Sequence, residues 1–209
     1  MSKLPTNGGG AIVRAIADVI VENRAYLSEV DGKIGDGDHG NNMAKGFARA
    51  KERISDDASL GEAMHIVADV LMGEIGGSMG PLYGMFFDDM ASAADNREYL
   101  DKQAVGDMLE AGCQGVMAIG EAKPGDKTLL DTLVPAIEAF RACDQDLHEA
   151  LKALKDGAEK GRDATTDMVA KVGRSSRLGE RSRGVPDAGA TSCCMILTAF
   201  ADGAARRLV

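Results

Sequence analysis

One hydrophobic spacing recurs along this chain, and it restricts the fold to helices. Apolar residues stand three and four positions apart over 12–27, 60–75, 105–116 and 129–140, which places them on one face of an α-helix. Capping-box sequences begin two helices, at Ser59–Glu62 and at Asp146–Glu149. Shorter helical patterns cover residues 42–54, 81–94 and 188–207. Neither an alternating stretch nor a hairpin signal is found. The sequence predicts an all-α fold of about eight helices.

Length and composition predict one domain of ordinary size over residues 1–209, or at most two small ones. Hydrophobic residues make up 44% of the 209 residues, which is enough for a core at this length. The sequence holds no apolar run of about eighteen residues, and its N-terminus lacks the layout of a signal peptide. Its four cysteines follow no metal-ligand spacing. We therefore expect a reduced cytoplasmic protein without a membrane-spanning segment.

The net charge of the chain limits the classes of partner that it can bind. The formal net charge of −9 argues against nucleic acid and anionic membranes, because both attract positively charged surfaces. An anionic ligand would need local positive charge. The segment 174–183 supplies it, since four arginines lie within these ten residues: Arg174, Arg177, Arg181 and Arg183. A solvated basic loop is the plainer interpretation of this segment.

Glycines concentrate at the predicted helix junctions, namely 32–40, 73–84, 120–125 and 173–189. Helix ends commonly use a glycine as a cap, but four glycine-rich junctions exceed what capping requires. If alternate connections of an up-and-down bundle meet at one end, backbone N–H groups at the helix N-termini there would face an anion.

Three carboxylates stand among the glycines of the first junction. Asp31, Asp36 and Asp38 lie within eight residues, and they repel one another unless a proton or a cation intervenes. Oxygen ligands of this kind suit Mg²⁺, which can in turn hold phosphates. The alternative is an acidic surface turn.

Known phosphate and metal motifs match this chain only in part. Residues 35–40 fit G-x-G-x-x-G, but a helix precedes them where the dinucleotide-binding motif needs a strand. The calcium loop fails because Asn41 and Phe47 stand where its glycine and glutamate belong. Residues 120–128 resemble a P-loop interrupted by Asp126. No nucleophile has a recognisable setting, and His39 is the one histidine that lies among loop carboxylates.

Four ordered segments resemble the nucleotide-binding subunit of dihydroxyacetone kinase. They cover nearly the whole chain: 34–43 (IGDGDHGNNM), 76–84 (GGSMGPLYG), 123–128 (KPGDKT), and 178–182 (LGERS) with 187–192 (DAGATS). The resemblance implies a barrel of eight antiparallel helices that binds a nucleotide at one end. It also implies a phosphotransferase whose sugar substrate is held by a separate subunit.

The resemblance further implies roles for single residues. Three aspartates would hold two Mg²⁺ ions, and Arg174 would supply positive charge at the phosphates as the catalytic residue. The metal ligands would be Asp31, Asp36 and Asp38. The ADP or ATP would contact His39, Gly40, Asn41, Asn42, Ser78, Met79, Gly120, Leu129, Arg174, Asp187, Ala188 and Gly189. Position 79 departs from the family pattern, because a thioether stands where the family has a serine hydroxyl.

Two phosphoryl donors occur in this family. Either ATP is consumed, or a bound ADP acts as a coenzyme that a phosphotransferase-system protein rephosphorylates. Residues 39–43 resemble the second group more closely, so we favour that scheme. The alternatives are an ATP-dependent kinase for another triose or tetrose and a non-catalytic nucleotide-binding regulator.

Overall fold

The computed structural model describes residues 2–209, which form nine α-helices, two short 3₁₀ helices and one two-stranded antiparallel ladder. The helices are α1 (Gly10–Glu22), α2 (Arg24–Ile34), α3 (His39–Arg53), α4 (Leu60–Glu74), α5 (Met79–Ala94), α6 (Lys102–Ile119), α7 (Leu130–Ala142), α8 (Leu147–Ala164) and α9 (Ala188–Ala205). The 3₁₀ helices are Thr165–Asp167 and Ser175–Ser182, and the strands are β1 (Leu4–Pro5) and β2 (Tyr99–Leu100). The all-α prediction is confirmed. The helix count exceeds the predicted eight because the first hydrophobic stripe divides at Asn23.

Eight of the helices form a closed ring. Helix α1 packs on α3, each helix from α3 to α9 packs on the next, and α9 packs again on α1, while α2 lies across α3 and α9. The interior is filled by aliphatic residues and a few aromatic ones, among which Phe87 makes edge-on contacts with Phe47 and Phe86 at centroid distances of 5.7 and 5.3 Å.

Small residues allow α7 and α8 to approach closely. A Cβ at Gly157 or Gly161 would collide with backbone atoms of α7. Pro135 lies inside α7, where it has no N–H to offer the preceding turn. The carbonyl of Asp131, four residues earlier, is the one that Gly161 approaches.

Helix α9 is long and apolar enough to cross a membrane by length and composition, although the sequence analysis predicted no such segment. Of its apolar window, 72% is buried inside the protein. Its hydropathy is that of a core helix, since α1, α7 and α8 pack against it.

Alternate helix connections lie at opposite ends of the ring. One end, called here the terminal end, holds both chain termini and the starts of α4, α6 and α8. The backbones of Lys3 and Val209 exchange two hydrogen bonds of 3.0 Å there. The Thr6 N–H donates to the Glu98 carbonyl nearby at 3.0 Å. The other end holds the four glycine-rich connections.

Candidate functional site

The glycine-rich end consists of the connections 35–38, 75–78, 120–129 and 165–187. The Arg174 guanidinium pairs with the Asp36 carboxylate, which joins the fourth connection to the first. Lys171 Nζ lies 3.5 Å from an Asp126 oxygen, which joins the fourth to the third. At the start of α5, Leu82 lies beside Gly120. The glycine-rich junctions therefore meet at one end of the ring, as their distribution predicts.

The first connection needs glycine at two positions. Gly37 has a φ of +78°, a left-handed conformation that costs a residue with a Cβ more than it costs glycine. A Cβ at Gly40 would collide with the Arg24 carbonyl and the Ser28 amide nitrogen, so the start of α3 can lie against α2 only because Gly40 has no side chain.

The three predicted metal ligands lie close in sequence but have different partners. Asp31, in the last turn of α2, accepts a hydrogen bond from the His39 N–H at 3.2 Å. Asp36 pairs with Arg174, and the exposed Asp38 precedes α3. Across residues 2–209, no three His, Cys, Asp or Glu side chains converge to hold a metal ion.

The donor chemistry nevertheless fits Mg²⁺, because carboxylate oxygens are its preferred protein ligands. The carboxylates of Asp36 and Asp38 are exposed on a glycine-rich connection, so they can turn without disturbing the core. The assignment of these ligands stays a prediction.

A hydrogen-bonded chain of side chains runs inward from His39. His39 Nε2 lies 2.9 Å from Ser192 Oγ, and the Tyr83 hydroxyl lies 2.7 Å from the same oxygen. Both hydroxyl oxygens also lie within hydrogen-bond distance of the Gly189 carbonyl, at 3.0 and 3.1 Å, and each has one proton to share among these contacts. Burial lowers the pKa of His39, although the charge of Asp31 opposes the shift. The histidine is therefore held by Ser192 of α9, which Tyr83 of α5 holds in turn.

The predicted residues at the start of α9 lie beside α7. Asp187 caps α9, and its carboxylate accepts the Ala190 N–H at 2.8 Å. Burial raises its pKa to about 6, while the hydrogen bond from the Ala190 N–H and the Lys127 charge oppose that shift. A Cβ placed on Gly189 would lie 3.6 Å from the Leu129 Cβ. Leu129 and the α9 start are thus neighbours, and the adjacent Ala188 is buried.

The start of α5 explains the unusual Met79. Its side chain is only 7% exposed and packs into the hydrophobic core. The preceding Ser78 is exposed. A ligand at this helix start would therefore meet the Ser78 hydroxyl and backbone N–H groups rather than the thioether.

The two remaining predicted contacts follow Gly40. Asn41 is exposed and accepts a hydrogen bond from Arg24 Nε at 2.7 Å, whereas Asn42 is half-buried. The contact roles of all the predicted site residues stay predictions.

Helix starts differ in how they are capped at the two ends. At the terminal end, the N-cap side chains of Ser59, Asp101 and Asp146 accept backbone hydrogen bonds. At the other end, within residues 2–209, the N-cap side chains of α3, α5 and α7 accept none, whereas Asp187 caps α9. The first N–H groups of α3 and α7 donate instead to the Asp31 carboxylate and to Thr128 Oγ1. A helix N-terminus carries unpaired N–H groups and a partial positive charge, so the remaining N–H groups of these starts suit an anion.

Sequence reasoning missed several residues at this end. Tyr83 and Ser192 lie in the GGSMGPLYG and DAGATS segments but were assigned no role, and Arg24 stood outside every motif. Lys127 is 1% exposed, and its ammonium donates to the carbonyls of Met168, Ser182 and Val185. The one available signal was its place in the KPGDKT segment.

Comparisons with known proteins agree with this geometry. A family model for the DAK2 domain matches residues 33–202. The ADP-binding subunit of the PEP-dependent dihydroxyacetone kinase of Escherichia coli is 38% identical over 88% of this chain and 90% of that subunit. The L-erythrulose kinase of Pectobacterium atrosepticum is 33% identical over 95% of this chain, which spans 35% of that kinase.

Solved structures show the same fold. The dihydroxyacetone kinase of C. freundii superposes with a TM-score of 0.70 at 25% identity, over 93% of this chain and 34% of that chain. A second structure of that kinase, in complex with AMP-PNP and Mg²⁺, gives 0.68 at 23% identity, over 92% of this chain and 33% of that chain. The chain belongs to the DAK2 domain family and is a relative of the ADP-binding subunits of dihydroxyacetone kinase, a phosphotransferase.

Proposed function

We propose that this chain is the nucleotide-binding subunit of a dihydroxyacetone kinase. The observation that carries the proposal is the set of groups that the glycine-rich end of the ring brings together. Three helix starts whose N-cap side chains accept no hydrogen bond, Arg174 and a carboxylate-rich loop lie at this end. Phosphoryl transfer depends mainly on positioning and charge stabilisation, and these groups are suited to both.

Each part of the site has a task in this proposal. Asp31, Asp36 and Asp38 hold two Mg²⁺ ions, which neutralise phosphate charge when bound. Arg174, which pairs with Asp36, would supply positive charge at the phosphates. The start of α3, from His39 to Asn42, and the start of α5 at Ser78 and Met79 supply N–H groups and polar side chains. Gly120, Leu129 and 187–189 enclose the base and ribose.

The donor scheme and partners follow from the relatives. The E. coli relative is an ADP-binding subunit of a PEP-dependent kinase, which supports ADP as a coenzyme that a phosphotransferase-system protein rephosphorylates. A separate subunit would hold dihydroxyacetone. We further propose that residues 1–209 act as a single cytoplasmic domain that binds neither nucleic acid nor membrane.

A tetrose kinase is the second candidate. The L-erythrulose kinase relative covers almost all of this chain, so the acceptor could be a four-carbon ketose and the donor ATP. A nucleotide-binding regulator without catalysis is the third candidate.

The nucleotide that copurifies with the protein, and its exchange rate, separate these candidates. We expect bound ADP that exchanges slowly with added ATP, and phosphoryl transfer to dihydroxyacetone when both partner proteins and phosphoenolpyruvate are added. Rapid exchange with consumption of ATP would support the ATP-dependent kinase. Tight ADP binding without transfer to any ketose would support the regulator, and absence of any nucleotide affinity would overturn the proposal.

A further inference from the structure

Lys127 combines an unfavourable backbone with a buried charge. Its φ is +63°, a left-handed conformation that residues with a Cβ adopt at a cost. Its side chain is only 1% exposed, and burial lowers the pKa of its ammonium, opposed by the charge of Asp187. Two unfavourable features in one residue require compensation from its contacts.

The compensation comes from one segment of the chain. The ammonium donates to the carbonyls of Met168, Ser182 and Val185 at 3.2, 2.5 and 2.7 Å. An ammonium has three donors, so these bonds use all of them. We call residues 168–185 the arginine loop. Its two ends meet at Lys127.

Further bonds close the same base. The Ala170 N–H donates to Ser182 Oγ at 2.9 Å, and the Gly184 N–H donates to the Thr166 carbonyl at 2.7 Å. The far part of the loop, Ser175–Ser182, packs against α2, and Arg174 beside it pairs with Asp36. The loop is thus fastened at its base by Lys127 and reaches the acidic connection with its far part.

The tip carries the residue that reaches the acidic connection. Arg174 lies six residues beyond Met168 and pairs with Asp36. Lys127 itself contacts neither of them; it acts on the position of Arg174 only through the base of the loop.

We infer that Lys127 is a positioning residue that holds the arginine loop across the nucleotide site, so that Arg174 faces the phosphates. The part that concerns the nucleotide rests on the proposed function. The fastening of the loop can be tested without any ligand.

The ligand-free test is amide hydrogen exchange in Lys127→Met, which removes the ammonium and keeps an unbranched apolar side chain. We expect faster exchange at Ala170 and Gly184, with α4 and α8 unchanged. Lys171→Met is the matched control, because Lys171 is an exposed lysine on the loop itself. Wild-type protection of the loop in Lys127→Met would overturn the inference. If Lys127→Met fails to fold, Ser182→Ala takes its place. This substitution removes the hydrogen bond from the Ala170 N–H at the same base and leaves no buried charge without a partner.

The nucleotide test is a double-mutant cycle on Mg²⁺-dependent ADP affinity by calorimetry. Lys127→Met should weaken binding roughly tenfold in the wild type, the scale of one charge-assisted contact. In an Arg174→Ala background it should weaken binding less than about twofold, because its effect passes through Arg174. Equal losses in both backgrounds would contradict the positioning role. A wild type that binds no ADP would instead overturn the proposed function and leave the exchange result standing.

Discussion

The two ends of the ring differ in the groups that accept hydrogen bonds from the backbone N–H groups at their helix starts. At the terminal end, side chains such as Asp101 satisfy the helix starts, and the chain termini pair with each other. At the glycine-rich end, within residues 2–209, the N-cap side chains of α3, α5 and α7 accept no backbone hydrogen bond, although Asp31 accepts the His39 N–H and Asp187 caps α9. Burial also raises the pKa of Asp187 there. The first arrangement favours stability, and the second leaves polar groups available to a ligand. Substitutions that treat the two ends alike should therefore give different results.

The largest difference is expected for one aspartate at each end. Asp36→Asn should weaken Mg²⁺-dependent ADP binding roughly a hundredfold, because a neutral amide replaces a carboxylate ligand. Asp56→Asn is the control: Asp56 is 94% exposed and pairs with Arg14 near the terminal end, so the ADP affinity should not change. Calorimetry with and without Mg²⁺ measures both. An unchanged ADP affinity in Asp36→Asn would contradict the assignment of Asp36 as a metal ligand.

The next effect concerns the buried cap of α9. The pKa of Asp187 is raised from 3.8 to about 6, so the folded protein keeps a proton between these values that the unfolded chain releases. The contribution of this group to stability therefore falls as the pH rises through that window. Asp187→Asn retains a capping oxygen and cannot ionise. Its advantage over the wild type should grow from nothing well below pH 4 to about 3 kcal/mol above pH 6, at about 1.4 kcal/mol for each pKa unit.

Urea unfolding at several pH values tests this prediction. Asp101→Asn is the control for the substitution itself, since Asp101 is an exposed N-cap at the terminal end. A stability difference between Asp187→Asn and the wild type that is the same at pH 4 and pH 7 would contradict the assigned burial cost.

The smallest effect separates a cap from a ligand contact. Asp101→Ala should cost about 1 kcal/mol of unfolding free energy, because the Ala104 N–H loses its acceptor, and ADP affinity should stay unchanged. Ser78→Ala should do the reverse: no loss of stability, and roughly fivefold weaker ADP binding, the scale of one neutral hydrogen bond. Thermal melts and calorimetry on both variants decide it. A destabilised Ser78→Ala would show that the two helix starts are equivalent.

The sequence predicted the parts of this fold that depend on local pattern. The hydrophobic spacing specified the helices, and the capping box at Ser59 and Glu62 is present in full. The glycine distribution predicted which connections converge. The division at Asn23 was missed because the hydrophobic stripe continues through it, so only the path of the backbone reveals two helices.

Side-chain partners over long sequence separations could not be predicted. His39 reaches Ser192 across 153 residues, and Lys127 reaches carbonyl groups that every residue has. Met79 departs from the family pattern at a predicted contact position, but its burial shows that the side chain packs in the core. Such contacts depend on how the helices pack against one another, and no local sequence pattern predicts them.

The pairing of Lys3 with Val209 has a topological consequence. Because the two chain ends lie side by side, the chain could start at a different connection of the ring and still form the same helix contacts. A short linker between the ends would permit circular permutation, with new termini opened in the connection at 143–146, which also lies at the terminal end. Any extension attached at either terminus would likewise emerge at the end of the ring opposite the glycine-rich connections. A domain fused there would therefore lie away from the proposed nucleotide site.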